Sequence, residues 1–192
     1  MKFTQVAADA FQKLQLNAGV ILTEFDPTSP TLDKTKIFGA TSGGVSFATN
    51  PEYVDFGEDI DNVPPNTKQL KVLQSVNPVM SGTFKTVDTT VCKALIGAAD
   101  VTDNKIVPRA TLADEDFIDD LWWVGDYSDV NTDTAGSAGF MAIHMMNVLS
   151  TQGLQLQSND DGKGDFAFEL ASHYDLENIN TLPYEVYVSQ GH

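Results

Sequence analysis

The chain has 192 residues and carries 27 acidic residues against 11 lysines and arginines, a formal net charge of −16 at pH 7. Most of the excess lies in residues 97–192, which hold 17 acids and 3 basic residues, and these acids alternate with aromatic and aliphatic side chains, unlike those of a disordered tail. A folded, strongly acidic surface repels polyanions, so the composition excludes a nucleic-acid-binding protein.

Four apolar residues near the start of the chain repeat at the spacing of one helix face. They are Phe3, Val6, Phe11 and Leu14. A helix this short is not stable alone. We therefore expect residues 1–18 to form an arm that docks on its own domain or on a neighbouring copy.

The middle of the chain predicts strands, a loop and one helix. The expected strands cover residues 45–49, 53–56 and 70–87, the last interrupted at Pro78. Residues 57–67 are expected to form a long exposed loop. Its charged residues and prolines include Glu58, Asp59, Asp61, Pro64 and Pro65. A helix follows from about Asp88 to Ala99, capped by Asp88 or Thr89.

The second half of the chain predicts strands only. The segment 117–127 also fits a helix, but its aromatic content and Gly125 favour a strand. The other expected strands are a buried one over 139–149, a hairpin over 154–173 and a final strand over 182–188.

These elements predict one mainly β domain over residues 1–192, a β-sandwich or open barrel with one flanking α-helix and an N-terminal arm. No apolar run is long enough to cross a membrane and the first residues do not form a signal peptide, so we expect a soluble protein made in the cytoplasm, without membrane insertion. The lone Cys92 excludes an internal disulfide and is expected to be a buried thiol.

Motifs of catalysis and cofactor binding are missing from the sequence. It has no nucleophile elbow, phosphate-binding loop, zinc-binding helix motif or dinucleotide fingerprint. The three histidines, His144, His173 and His192, do not suggest a triad or a metal site. We expect neither an enzyme nor a cofactor.

Four weaker patterns have ordinary explanations. Core packing accounts better than Cu(I) binding for His144 and the methionines around it. Asp119 and Asp120 suggest a glycosidase pair, but neighbouring residues of a strand face opposite ways. Asp129, Asn131 and Asp133 match the first ligand positions of a calcium-binding loop, but the residues that follow do not match the rest of that motif. Finally, Trp122, Trp123 and Tyr127 suggest a sugar-stacking platform, although both tryptophans also suit a core.

Several features follow one another in a fixed order over most of the chain. They are Gln15-Leu16-Asn17-Ala18-Gly19-Val20-Ile21-Leu22, Gly43-Gly44-Val45-Ser46-Phe47 before Pro51-Glu52, the long loop, Met80-Ser81-Gly82-Thr83-Phe84, the helix from Thr89, Leu121-Trp122-Trp123 before Asp126-Tyr127-Ser128, Asn147-Val148-Leu149-Ser150 and Pro183-Tyr184-Glu185-Val186-Tyr187. In this order and spacing the chain resembles the major tail tube protein of long, non-contractile-tailed (siphovirus-type) bacteriophages.

The resemblance implies a structural virion protein located in the phage tail. Six copies would form a ring, each giving four strands to one inner barrel, and rings would stack into the tube through which DNA passes during ejection. The implied partners are other copies of the chain, a tape measure protein, and tail terminator and tip proteins. A bacterial type VI-like secreted tube shares this ring, and a monomeric β-sandwich carbohydrate-binding module remains the alternative.

Under this resemblance the acidic charge acquires a mechanical role. Acids lining a close-fitting bore keep DNA centred and moving, because carboxylates do not bind phosphates. We expect Asp116, Asp119 and Asp120 to face the lumen or the joint between rings. The loop 57–67 is expected between rings, and the arm is expected to dock.

Overall fold

The structure, a computed structural model, describes residues 10–126, 139–160 and 162–189, and of Phe11 and Gln12 only the backbone. Its one α-helix in these ranges, α1, spans Thr89–Ile96. The strands are β1 Val20–Leu22, β2 Ile37–Gly39, β3 Thr41–Ala48, β4 Pro51–Asp55, β5 Lys71–Val76, β6 Val79–Phe84, β7 Ala99–Thr102, β8 Lys105–Pro108, β9 Ile118–Asp126, β10 Phe140–Ser150, β11 Gln155–Gln157, β12 Asp165–Ser172 and β13 Tyr184–Ser189.

Nine strands form one continuous antiparallel sheet. Its main path runs β2-β1-β9-β10-β12-β6-β3, with β13 paired to β10 and β11 paired to β12. The long strand β10 joins two halves of this sheet, because Phe140–Met145 pair with β13 whereas Val148–Ser150 pair with β12. We call β2-β1-β9-β10-β13 sheet I and β10-β12-β6-β3, with β11, sheet II.

The two halves also meet at their other side. Ala40 lies between β2 of sheet I and β3 of sheet II, and its carbonyl accepts a hydrogen bond of 2.8 Å from the backbone N–H of Lys85. The chain therefore turns a corner from one sheet into the other. The predicted β-sandwich with one helix is confirmed.

The core fills the space between the sheets. Phe84 of β6 stacks on Phe168 of β12 with ring centroids 4.3 Å apart, and Gly82 is required beside them because an added Cβ would lie 2.9 Å from the Phe168 ring. The buried cluster consists of Ile21, Phe38, Met80, Phe84, Val91, Leu95, Leu121, Trp123, Ile143, Met145, Val148, Phe168 and Leu170.

Helix α1 forms where the sequence predicts it. The Asp88 carboxylate accepts a hydrogen bond of 2.8 Å from the Val91 N–H, so Asp88 is the N-cap. Val91 and Leu95 lie one turn apart and join the core. The helix ends earlier than Ala99 because Gly97, with φ of 83°, caps it and β7 begins two residues later.

The predicted long strand over 70–87 is two strands in different sheets. β5 pairs with β4 in a separate hairpin, β6 lies in sheet II, and the break contains Pro78 as expected. The ambiguous segment is strand β9, and the strands expected near 139–149, 154–173 and 182–188 are also present. Four short strands, β1, β2, β7 and β8, were not expected from the sequence.

The first half of the predicted arm, residues 1–9, lies outside the described residues. The described half, residues 10–18, begins with a short 3₁₀ helix, Ala10–Lys13. The chain is then attached to β9, since the Leu16 N–H donates to the Asp126 carbonyl at 2.7 Å and the Trp123 indole donates to the Ala18 carbonyl at 3.1 Å.

Candidate functional site

Asp116 is buried, which corrects the expectation that it faces a lumen. Its side chain has no exposed surface, and one carboxylate oxygen lies 2.6 Å from Nη2 of Arg109. The other oxygen accepts a hydrogen bond of 2.9 Å from the Ala113 N–H. Asp116 thus holds the segment before β9 against Arg109, and it cannot line a channel.

The charge state of Asp116 follows from these partners. Burial raises the pKa of the Asp116 carboxyl, but hydrogen bonds from backbone N–H groups, chiefly that of Ala113, and the nearby charges of Arg109 and Lys93 outweigh it. The net result is a pKa below the ordinary value for aspartate, so the carboxylate stays ionised at neutral pH.

Asp119 and Asp120 are both exposed, near the start of β9. Asp120 belongs to a row of polar side chains across three neighbouring strands of sheet I. Its carboxylate lies 2.5 Å from Nε2 of His144 on β10, and Nδ1 of His144 lies 3.6 Å from Glu185 on β13. Asp119 instead lines a cleft with His173 and Asp175.

The two tryptophans are buried on opposite faces of β9, as neighbouring strand residues must be. Trp123 lies in the main core. Trp122 lies on the outer face of sheet I, where Phe25 covers it and the His144 ring stacks on it at 4.0 Å. Only 7% and 8% of Trp122 and Trp123 are exposed, so the pair does not form a sugar-stacking platform. Tyr127, the third predicted member, lies outside the described residues.

The outer face of sheet I ends at a further hydrogen bond. The Tyr187 hydroxyl donates to the Glu185 carboxylate at 2.5 Å, and this bond, with burial, raises the pKa of Tyr187 above its ordinary value. Glu185 therefore contacts both Tyr187 on its own strand and His144 on β10.

The loop 57–67 is exposed as predicted at its acids and prolines. These are Glu58, Asp59, Asp61, Pro64 and Pro65. Its base is closed by Asp55, whose carboxylate accepts hydrogen bonds from the N–H groups of Asn66 at 2.6 Å and Gly57 at 2.9 Å. These bonds lower the pKa of Asp55. Gly57 is buried, so the exposed part begins at Glu58.

The hairpin that carries this loop exposes apolar side chains. β4 and β5 pair with each other and with no other strand of the described residues. Its exposed apolar residues are Tyr53, Phe56, Ile60, Val72 and Leu73. A two-stranded hairpin is marginally stable by itself, and this one has apolar surface that a partner can cover.

Strand β13 is an unprotected edge of sheet I. In the described ranges it pairs only with β10. Val186 and Val188 are 46% and 54% exposed. The strand contains no lysine, proline or bulge, the devices by which edge strands avoid association.

Of the predicted arm residues, Phe3 and Val6 lie outside the described residues and the Phe11 side chain is not described. Leu14 is 46% exposed. The structure also bears on three weaker predictions. Cys92 is half-buried, and Met145 lies in the core. The calcium-loop pattern from Asp129 to Asp133 lies outside the described ranges.

Among the described residues, no three His, Cys, Asp or Glu side chains are grouped so as to hold a metal ion. Nor does this part of the chain contain a helix long and apolar enough to cross a bilayer. Comparison with family models gives no match, and comparison with curated proteins gives no significant relative.

Three features of the site were not expected from the sequence: the exposed edge of the predicted final strand β13, the apolar hairpin and the role of Arg109. The alternation of Val186 and Val188 with Glu185 and Tyr187 signals a strand, but pairing partners are not written in one strand's own residues. For Arg109 a signal exists, since it is the single arginine of the chain.

Proposed function

We propose that this protein is a structural subunit of a phage tail tube, assembling into hexameric rings that stack around a channel for DNA. The observation that carries the proposal is the composition of the nine-stranded sheet. Its strands contain six acids and no lysine or arginine. A surface built from such strands offers phosphates no cation to bind, so DNA can slide along it.

Sheet II supplies the face best suited to the channel wall. Its outward face carries small polar residues, among them Ser46, Ser81 and Thr83, together with Glu169. Lys85, the residue that follows β6, forms an ion pair with Asp165. This pairing lowers the pKa of Asp165, and the carboxylate compensates the positive charge of the lysine.

Strand number fits a channel of useful width. The main path of sheet II contains four strands, β10, β12, β6 and β3, beside the three-residue β11, and six copies of this path would therefore contribute 24. Barrels of about 16–18 strands already leave an aqueous lumen. The outward face of sheet I points the opposite way. In the proposed tube Asp120 and His144 therefore lie outside the bore, whereas the sequence led us to expect Asp120 at the lumen or at the joint between rings.

Exposed edges and apolar surface support assembly. β13 offers unpaired backbone groups flanked by Val186 and Val188 for pairing with a neighbouring copy. The hairpin β4–β5 projects the loop 57–67, which suits a contact between stacked rings. Such contacts repeated head to tail close into a ring or extend into a filament.

The same ring architecture serves a bacterial type VI-like secreted tube. The cation-free strands favour the DNA-conducting tube, because a polyanionic cargo is the one that lysine and arginine would stall. The carbohydrate-binding module loses its support because Trp122 and Trp123 are buried.

Assembly is tested with lysine substitutions at the edge. Val186→Lys and Val188→Lys place a charge on β13, and Val101→Lys places the same charge on an exposed valine of β7 (43% exposed). Sedimentation velocity and negative-stain microscopy should show rings or tubes for the wild type and for Val101→Lys, and smaller species for the β13 variants. Equal assembly of all four proteins would refute the role of β13.

A further inference from the structure

A cleft of about 490 Å³ lies at the end of the sandwich where β9 begins. Four carboxylates line it, those of Asp114, Asp119, Asp175 and Glu177. Its walls also include Phe117 and Leu176. The Leu176 side chain is 86% exposed, a large apolar surface to leave in water.

The cleft is built where β10 changes partners. β13 leaves β10 at Met145 and β12 joins it at Val148, and between them Asn147 adopts a positive φ of 49°. Asn147 donates from Nδ2 to the His173 carbonyl at 3.3 Å, while His173 Nδ1 lies 3.1 Å from the Asn147 carbonyl. This reciprocal pair fixes the floor of the cleft.

An apolar cleft with acidic walls fits an occupant that is apolar and basic. Residues 1–8 of this chain have that composition, with Phe3 and Val6 at the spacing of one helix face, Lys2, and no acid. No other eight-residue stretch at an end of this acidic chain combines these properties. Charge complementarity therefore selects the arm as the occupant.

The point where the arm joins the domain and the cleft lie at opposite ends of β9. The chain is attached at Leu16, which donates to the Asp126 carbonyl at the end of the strand, whereas the cleft begins at Asp119. Seven residues of strand separate these points by about 23 Å. When copies stack head to tail along this direction, the arm end of one copy meets the cleft end of the next.

We propose that the N-terminal arm of one copy docks in the Asp119–Asp175 cleft of a neighbouring copy and so fastens adjacent subunits. Phe3 and Val6 pack against Leu176 and Phe117, and Lys2 lies among the carboxylates. The inference rests on the proposed self-assembly for the presence of a neighbour, but the docking itself is measured separately.

Mixed cross-linking tests the docking between full-length copies. In a Cys92→Ser background, one protein carries Val6→Cys and the other Leu176→Cys, and a short bis-maleimide is added to the mixture. The expected product is a cross-linked heterodimer. The matched control pairs Val6→Cys with Val101→Cys, an exposed valine outside the cleft.

A charge swap tests specificity in the same assay. Lys2→Glu and Asp175→Lys should each lower the heterodimer yield about three- to fivefold, the size expected for an exposed ion pair. Lys2→Glu on the arm-bearing copy with Asp175→Lys on the cleft-bearing copy should restore it. Equal cross-linking to Val101→Cys would overturn the proposal. A second variant that carries both Val6→Cys and Leu176→Cys would also overturn it by cross-linking only within one chain.

The outcomes separate this inference from the proposed function. If tubes form but the heterodimer cross-link is absent, the arm–cleft contact is refuted and the proposed tube stands. A specific cross-link without rings or tubes would retain the contact and refute the tube.

Discussion

Replacing Asp116 by alanine is predicted to destabilise the fold strongly. The substitution removes two charge-assisted hydrogen bonds, from Arg109 at 2.6 Å and from the Ala113 N–H at 2.9 Å. It also leaves Arg109, whose side chain is 20% exposed, without its buried partner. Breaking a buried ion pair costs about 3–5 kcal/mol. Because Arg109 retains Asp100 at 2.8 Å, we expect the lower end, about 3 kcal/mol.

The measurement is urea unfolding followed by tryptophan fluorescence, at concentrations where the protein is monomeric. With a denaturant slope of about 2 kcal/mol per molar, the midpoint should fall by about 1.5 M. Asp119→Ala, an exposed acid three residues away, is the control and should change stability by less than about 0.5 kcal/mol. Similar losses for both variants would refute the buried ion pair.

The same pair makes the stability difference depend on pH. Because the folded pKa of Asp116 lies below its unfolded value, its contribution is fully present above the unfolded value of about 3.9. It is lost as the pH falls through the lower folded value. The gap between wild type and Asp116→Asn should therefore be constant from pH 5 to 7 and narrow in stronger acid. A gap that widens with acid would contradict this assignment.

Three further predictions concern the tube and the fold. Thr83→Lys, on the proposed wall, should leave tube assembly intact but slow DNA passage in a phage ejection assay, whereas Thr102→Lys on the β7–β8 hairpin should not; equal rates would count against sheet II as the wall. Replacing residues 58–66 by Asn-Gly should leave a folded monomer by circular dichroism but stop the stacking of rings in micrographs, and normal tubes would exclude the loop from the joint. Gly19→Ala should lower the free energy of unfolding in urea by about 2 kcal/mol or more, because Gly19 has φ of 69° and an added Cβ would lie 2.4 Å from the Trp123 ring. An unchanged midpoint would show that the ring can move.

Local sequence signals predicted the elements that are long or well capped. The Asp88 cap and the spacing of Val91 and Leu95 specify α1, and the apolar run of β10 specifies a central strand. β1 and β2 contain three residues each, too few for an alternation to be recognised. β1 forms by pairing with β9, a contact distant in sequence, and β2 forms by pairing with β1.

The site was less predictable than the fold because burial of a charge depends on tertiary partners. Asp114, Asp116, Asp119 and Asp120 are equivalent acids in sequence, yet only Asp116 is enclosed, through Arg109. The burial of the tryptophans also depends on a distant residue. Their adjacency in a strand predicts that they lie on opposite faces, but Trp122 is buried because Phe25 covers it, from a loop nearly a hundred residues earlier.

Cryo-electron microscopy of the purified full-length protein across a concentration series tests the central claim most directly. The account predicts hexameric rings and hollow tubes of one diameter, whose bore is lined by the outward face of β3, β6 and β12. Monomers at every concentration, or tubes whose bore is lined by the loops that carry the lysines, would contradict it.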